Sequence, residues 1–369
     1  YGKGEDMKSA FLRIKLPAVF SAGIIPVFLA LLVQFIIPSK ALAQTGKASE
    51  LEQAAKREGK LRVVVFPSLT PLAEAFEKKY GVKVEGIYVG DPDILRKVST
   101  ESDAGVFEVD VFATSTGPTG SKLNKWALSY SPAGYEKVAK VKEALPADWN
   151  QMPLFNHVVG VIYNKELVPA KQVPKSIYDL LKPEFKGKII SRTPWLGSNY
   201  LTHILSYFTW FNEDMNKWTD YWTRFKVNVG RYESGFPALH FAVGLKEFPL
   251  GVFTLPYTAT LWGPSYPGLA YSSFKEGGIW WPNMAVIHKN APHPNAAKLF
   301  VNFLIGPEGQ KMFAEGGNIP ANRDVAAKAE LKQALEGIKL FNGQLQSILV
   351  REDVEKGEEW RKRIQKIFQ

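Results

Sequence analysis

The sequence predicts an α/β protein built on mostly parallel sheets with helices on their faces. Three observations carry this. Short apolar, β-branched runs alternate with amphipathic segments from Leu61 to Ser115. Proline stands at the start of the helical segments, at Pro71 and Pro92, where its missing N–H costs nothing. A second series of the same kind begins at His157.

Taken in order, a helix is expected over Ala48–Glu58, closed by Gly59. "LRVVVF" (Leu61–Phe66) reads as a buried strand. Thr70 is expected to cap the next helix, whose face carries Leu72, Ala75, Phe76 and Tyr80, and Gly81 ends it. "VKVEGIYV" is the second strand, Asp91 caps the following helix, and "FEVDVFATS" is the third strand. In the second series, "KGKIISR", "VNVGRYE" and "PLGVFTLPY" read as strands. Ser198 and Ser234 are expected to open helices. Trp218, Tyr221, Trp222 and Phe225 share one helical face and read as core rather than as a ligand box.

In parallel sheets, ligands sit beyond the carboxyl ends of the strands, where helix N-termini present free N–H groups. This rule selects Ser68 and Thr70, Asp91, and Thr114 and Ser115 from the first series. From the second it selects Ser198, Glu233 and Tyr257, with Trp280 close by. Ordinary turn and cap chemistry is the plain alternative at each loop. Tyr257 stands out because it follows an uncharged strand, where a core would more simply use leucine or valine.

Composition excludes several classes. The chain of 369 residues is 46% hydrophobic and 22% charged, which is globular and long enough for two domains. It has no cysteine, so disulfides, thiolate metal sites and a lipid-modified cysteine are excluded. The net charge is +10, with scattered lysines and no basic stripe, so nucleic acid is not an expected partner. The five histidines include no HExxH pair, and no GxSxG elbow or phosphate loop occurs, so no enzyme, metal centre or cofactor is expected. His288 and His293 read as structural, and Asp110 is expected to pair locally.

The N-terminus reads as a secretory signal over residues 7–43. Lys8, Arg13 and Lys15 precede an apolar run from Leu16 to Ile37, and Ala41-Leu42-Ala43 supplies the small residues for cleavage before Gln44. Tyr1–Asp6 read as sequence upstream of Met7. Cleavage would remove five basic and two acidic residues and leave a net charge of about +7. A retained membrane anchor is the alternative, since the run approaches spanning length.

The segment "NMAVIHKNAPHPNAAKLFVNFLIGPEGQKMFAEGGNIPA" (Asn283–Ala321) reads as a strand, a helix opened near Pro294, a Gly306-Pro307 break, a second helix and a stop at Gly316-Gly317. With "AEAFEKKYGVKVE", "GVIYNKELVP" and "YDLLKPEFKGKI", it resembles the extracellular solute-binding proteins of ATP-driven (ABC) importers. The likeness is to the branch that binds ferric iron, thiamine and polyamines. The resemblance implies the two-lobed periplasmic-binding fold of type II. One lobe would hold residues 44–156 and 283–319, and the other 157–282 and 320–369. Val158–Tyr163 and Met284–His288 would be the two extended crossings. It further implies a periplasmic monomer that captures a small solute between the lobes and delivers it to a permease. A membrane-tethered sensor or receptor of the same fold is the alternative.

Ferric-iron binders of this branch commonly use adjacent tyrosines from one lobe and a histidine or carboxylate from the other. Here Pro256-Tyr257-Thr258 has one tyrosine, and Phe66–Thr70 has no histidine. Iron held by tyrosines is therefore not the expected ligand, though it stands as the alternative. Aromatic walls from Tyr257, Trp262, Trp280 and Trp281 suit an organic anion or, through cation–π attraction, an amine.

Overall fold

The structure is a computed structural model. It describes residues 50–369 except 65–68, 88–90, 116–117, 139–149, 197, 256–259, 261–262 and 343–347. For some others, among them Asp91, Ser115, Ser198, Trp280 and Trp281, only the backbone is described. The expected signal segment lies outside the described residues. Among the described residues, no helix is long and apolar enough to cross a membrane.

A helix over residues 50–58 leads into β1 (Lys60–Val64), α1 (Thr70–Tyr80), β2 (Lys83–Ile87), α2 (Asp91–Ala104) and β3 (Val111–Ser115). Then come β4 (Met152–Val158), β5 (Gly160–Asn164), β6 (Ile189–Arg192), α3 (Ser198–Ser206), α4 (Met215–Phe225) and β7 (Val229–Glu233). Next are α5 (Phe236–Gly244), β8 (Leu250–Thr254), β9 (Leu269–Ser272), β10 (Gly278–Ile287), α6 (Pro294–Ile305) and α7 (Pro307–Glu315). The chain ends with β11 (Ile319–Pro320), α8 (Ala329–Ala334), β12 (Leu340–Asn342) and α9 (Ile348–Phe368).

Two sheets result. The first has the order β11-β4-β10-β3-β1-β2, with β12 beside β10. In it β1, β2 and β3 are parallel, and β10 runs against both β3 and β4. The second has the order β7-β6-β8-β5-β9, with β6, β7 and β8 parallel and β5 antiparallel to β8 and β9. This is the expected α/β architecture. The strands read from apolar runs are present, and the central ones are buried on both faces, as helix-covered sheets require.

The chain first passes between the sheets at Val158–Gly160, within the expected crossing Val158–Tyr163. The second passage is a correction. Met284–Ile287 lie inside the first sheet, paired with β3 and β4, so the chain crosses earlier, between Ser272 and Gly278. A crossing strand and a central strand are both apolar runs, and hydropathy does not separate them.

Asp91 is the first residue of α2 rather than its cap, and two other helix starts depart as well. Leu69 is the N-cap of α1 and makes no side-chain cap, while Thr70 is the first helical residue. Gly235 rather than Ser234 is the N-cap of α5. In both, proline in the first turn fixes φ and removes one donor that a cap would serve. The expected stop at Gly81 is present, with φ 68° in the left-handed region that glycine reaches without strain.

The second core is aromatic. Asp214 caps α4, its carboxylate accepting from the backbone N–H groups of Asn216 (3.0 Å) and Lys217 (3.1 Å). The helix buries Trp218, Tyr221, Trp222 and Phe225 on one face, as their spacing predicts. Trp360, Ile364 and Phe368 of α9 join the same cluster.

Asp110 corrects another expectation. It does not pair locally. Fully buried just before β3, it accepts from the backbone N–H of Arg62 (2.7 Å) and of His293 (2.6 Å) and lies 3.0 Å from His293 Nδ1. One carboxylate thus joins β1, β3 and the start of α6, and His293 is structural, as its sequence setting suggests.

Candidate functional site

Strand polarity defines the site. In the first sheet, Ser115 ends β3 and pairs with Asn283, midway along β10. Val158 ends β4 beside the passage and pairs with Trp280. In the second sheet, Thr254 ends β8 and pairs with Gly160, the first residue beyond the passage. Since β6 and β7 run parallel to β8, Arg192 and Glu233 end at the same side. The carboxyl ends of the parallel strands in both sheets therefore lie toward the passages. The helices that follow those ends, α2 from the first sheet and α3 from the second, approach one another.

The expected site residues divide as follows. Ser68 and Tyr257 lie outside the described residues, as does Trp262. Asp91 and Ser198 open α2 and α3 by their backbones. Ser115 and Trp280 take the strand-end positions just given. Thr70 is half-buried at the start of α1. Thr114 is fully buried one residue inside β3. Glu233 lies at the end of β7, its carboxylate 2.9 Å from Arg231 Nε, while its carbonyl accepts from the Thr193 N–H (2.9 Å). The Arg231 cation beside it offsets the Glu233 charge.

Four residues at this end were not singled out from sequence. Arg192 ends β6, donates through Nη2 to the Ser234 carbonyl (3.3 Å) and lies over the Phe236 ring at 4.6 Å. Asn283 is 5% exposed beside Ser115. His157, next to the passage on β4, and His203, on α3, are both buried. Burial pushes each imidazole down to about 3, and at His203 the Arg192 charge and His157 push the same way. An arginine at a strand end was a legible signal. The histidines were not, because only the fold brings residues of different sheets together.

A stability prediction follows from this pair. Unfolded, each histidine has the ordinary value of 6.5, and in the fold it stays neutral down to about 3. Between those values the unfolded chain binds more protons, so this contribution is complete above pH 6.5 and is lost as pH falls toward 3. The melting temperature is expected to drop steadily over that window, and His157→Gln with His203→Gln should flatten the drop. A flat wild-type profile there would contradict the assignment.

Two helix-flanked sheets, joined side by side with their strand ends toward the junction, define a binding protein of the two-lobed α/β class. Residues 71–337 match the family model described as bacterial extracellular solute-binding protein, and the chain belongs to that family. Among relatives, a Fe(3+)-binding periplasmic protein of Serratia marcescens is 23% identical over 251 residues, covering 65% of this chain and 70% of the relative. The substrate-binding protein of an ABC transporter from Agrobacterium tumefaciens superposes with a TM-score of 0.70 at 19% identity, over 84% of this chain and 94% of that one. The periplasmic binding protein AfuA of Actinobacillus pleuropneumoniae, solved with exogenous fructose-6-phosphate bound, gives 0.66 at 20% identity, over 83% and 98%. The solved structures are similar in fold.

Proposed function

We propose that this protein is a non-catalytic receptor of the periplasm that captures a small solute between its two sheets and delivers it to the permease of an ABC importer. The observation that carries the reading is the convergence of strand carboxyl ends from both sheets at the passages. The lobes divide at Val159, just after the first boundary read from sequence, and again between Ser272 and Gly278, before the second. The contacts proposed are Ser68, Thr70, Asp91 and Ser115 from one lobe, and Ser198, Glu233 and Tyr257 from the other, with Trp280 at the junction. Thr114 contributes through its backbone, because its side chain is buried. Arg192 at the end of β6 supports an anionic solute over an amine, as do helix N-termini at the strand ends and the positive net charge. Native mass spectrometry of protein from its own periplasm tests the reading. One small organic anion per chain is the expected result, and protein that carries none and binds no periplasmic solute counts against capture.

Ferric iron is the second reading, favoured by the Serratia marcescens relative. The single tyrosine at Tyr257 and the absence of histidine in residues 66–70 argue against it. Ferric citrate is expected to raise no phenolate charge-transfer band. A strong visible band that disappears in Tyr257→Phe would make iron the cargo.

A further inference from the structure

A groove of about 930 Å³ runs along β9, the edge strand of the second sheet, between that strand and α8. Among the described residues, none assigned above to the cleft lines it. Its size suits a metabolite rather than a water cluster. Lys165, Lys175, Lys275 and Lys328 line it against Glu330 and Glu336, so the local balance is positive. None of the four lysines lies within ion-pair distance of a carboxylate among the described residues.

Two of the lysines are held in place. Lys175 Nζ donates to Ser272 Oγ (3.1 Å), and the Lys275 N–H donates to the Lys175 carbonyl (2.7 Å). The floor is Tyr271 and Ser272, whose hydroxyl protons go to the Val158 and Ser273 carbonyls, so the donors left for a ligand are the lysine ammonium groups. Several ammonium groups lining one groove form the recognition chemistry of a multiply charged oxyanion.

We propose that this groove binds a small organic polyanion, a phosphate ester or polycarboxylate with at least two negative charges, at a site separate from the solute cleft. The floor leads directly into the second passage, so the occupant sits against the segment that joins the two sheets.

Calorimetry with inorganic pyrophosphate and, separately, tricarballylate tests this on the full protein. Saturable binding of at least one is expected at low salt, weakening as salt rises to about 0.3 M. Pyrophosphate alone would select phosphate esters, and tricarballylate alone polycarboxylates. The double variant Lys175→Ala, Lys328→Ala should weaken binding about tenfold, as the loss of two exposed charge contacts implies. All four lysines are exposed, so the fold should survive, and Lys171→Ala outside the groove should bind like wild type. No saturable binding of either anion at low salt, or equal binding by the double variant, overturns the proposal.

Discussion

Phe253→Ala is expected to destabilise the protein by about 3–5 kcal/mol, and Phe253→Gly by about 1 kcal/mol less than that. Phe253 is fully buried, and its ring centroid lies 5.1 Å from those of Tyr207 and Trp222, 5.2 Å from Phe225 and 5.8 Å from Phe274. Truncation opens a large cavity among rigid rings that cannot collapse to fill it. The backbone adds a second term. Gly160 pairs with Thr254 and Val161 pairs with Val252, so Phe253 is the extra residue of a β-bulge, at φ 54°. A side chain at positive φ is strained, and alanine keeps that strain while glycine removes it. Glycine within a strand normally costs more than alanine, so the reversed order isolates the bulge. Urea unfolding of the two variants measures it. Glycine less stable than alanine would mean that the bulge stores no strain.

This bulge marks the limit of what sequence conveys. The strand over Leu250–Thr254 was legible from its β-branched, uncharged run, and α4 from the spacing of its aromatics. Parallel order was legible from the alternation of strands and helices. The bulge was not, because a phenylalanine at positive φ is imposed by the surrounding rings and not by local propensity. The passage at Ser272–Gly278 was hidden for a related reason. Its neighbours Leu269–Ser272 and Gly278–Ile287 are both strands, and only pairing shows that they belong to different sheets. At the candidate site, strand-end rules picked out Ser115 and Glu233, and both stand at the ends of their strands. They did not find Asn283 or the His157–His203 pair, whose neighbours are distant in sequence. They did not show the ion pair that Glu233 makes with Arg231, two residues away on the same strand.

The same junction supports the second large effect, at Gly160. A Cβ placed there would lie 2.3 Å from the Ser272 carbonyl oxygen and 2.6 Å from the Tyr271 hydroxyl, both shorter than any tolerated contact. The nearer obstacle is backbone, so β9 itself must move rather than a side chain. That movement breaks the hydrogen bond in which the Tyr271 hydroxyl donates to the Val158 carbonyl (2.9 Å), which ties β9 to the last residue of β4 across the first passage. Just beyond it, the Val159 N–H donates to the Ile279 carbonyl (3.1 Å), so the two passages are joined to each other as well. Gly160→Ala should therefore cost about 1–3 kcal/mol in stability, as forced overpacking does. Its larger effect falls on capture. If solute is held by groups from both sheets, their relative setting must be right, and a shift of about 1 Å at the junction can weaken binding by an order of magnitude or more. Tyr271→Phe separates the two terms, because it removes the bond to Val158 and a longer one from Ser273 Oγ (3.4 Å), at about 0.5–1.5 kcal/mol each, and adds no bulk. Gly160→Ala is expected to lose solute binding out of proportion to its loss of stability, and Tyr271→Phe to lose both mildly. Equal, wild-type affinity in both variants would show that the junction does not set the cleft.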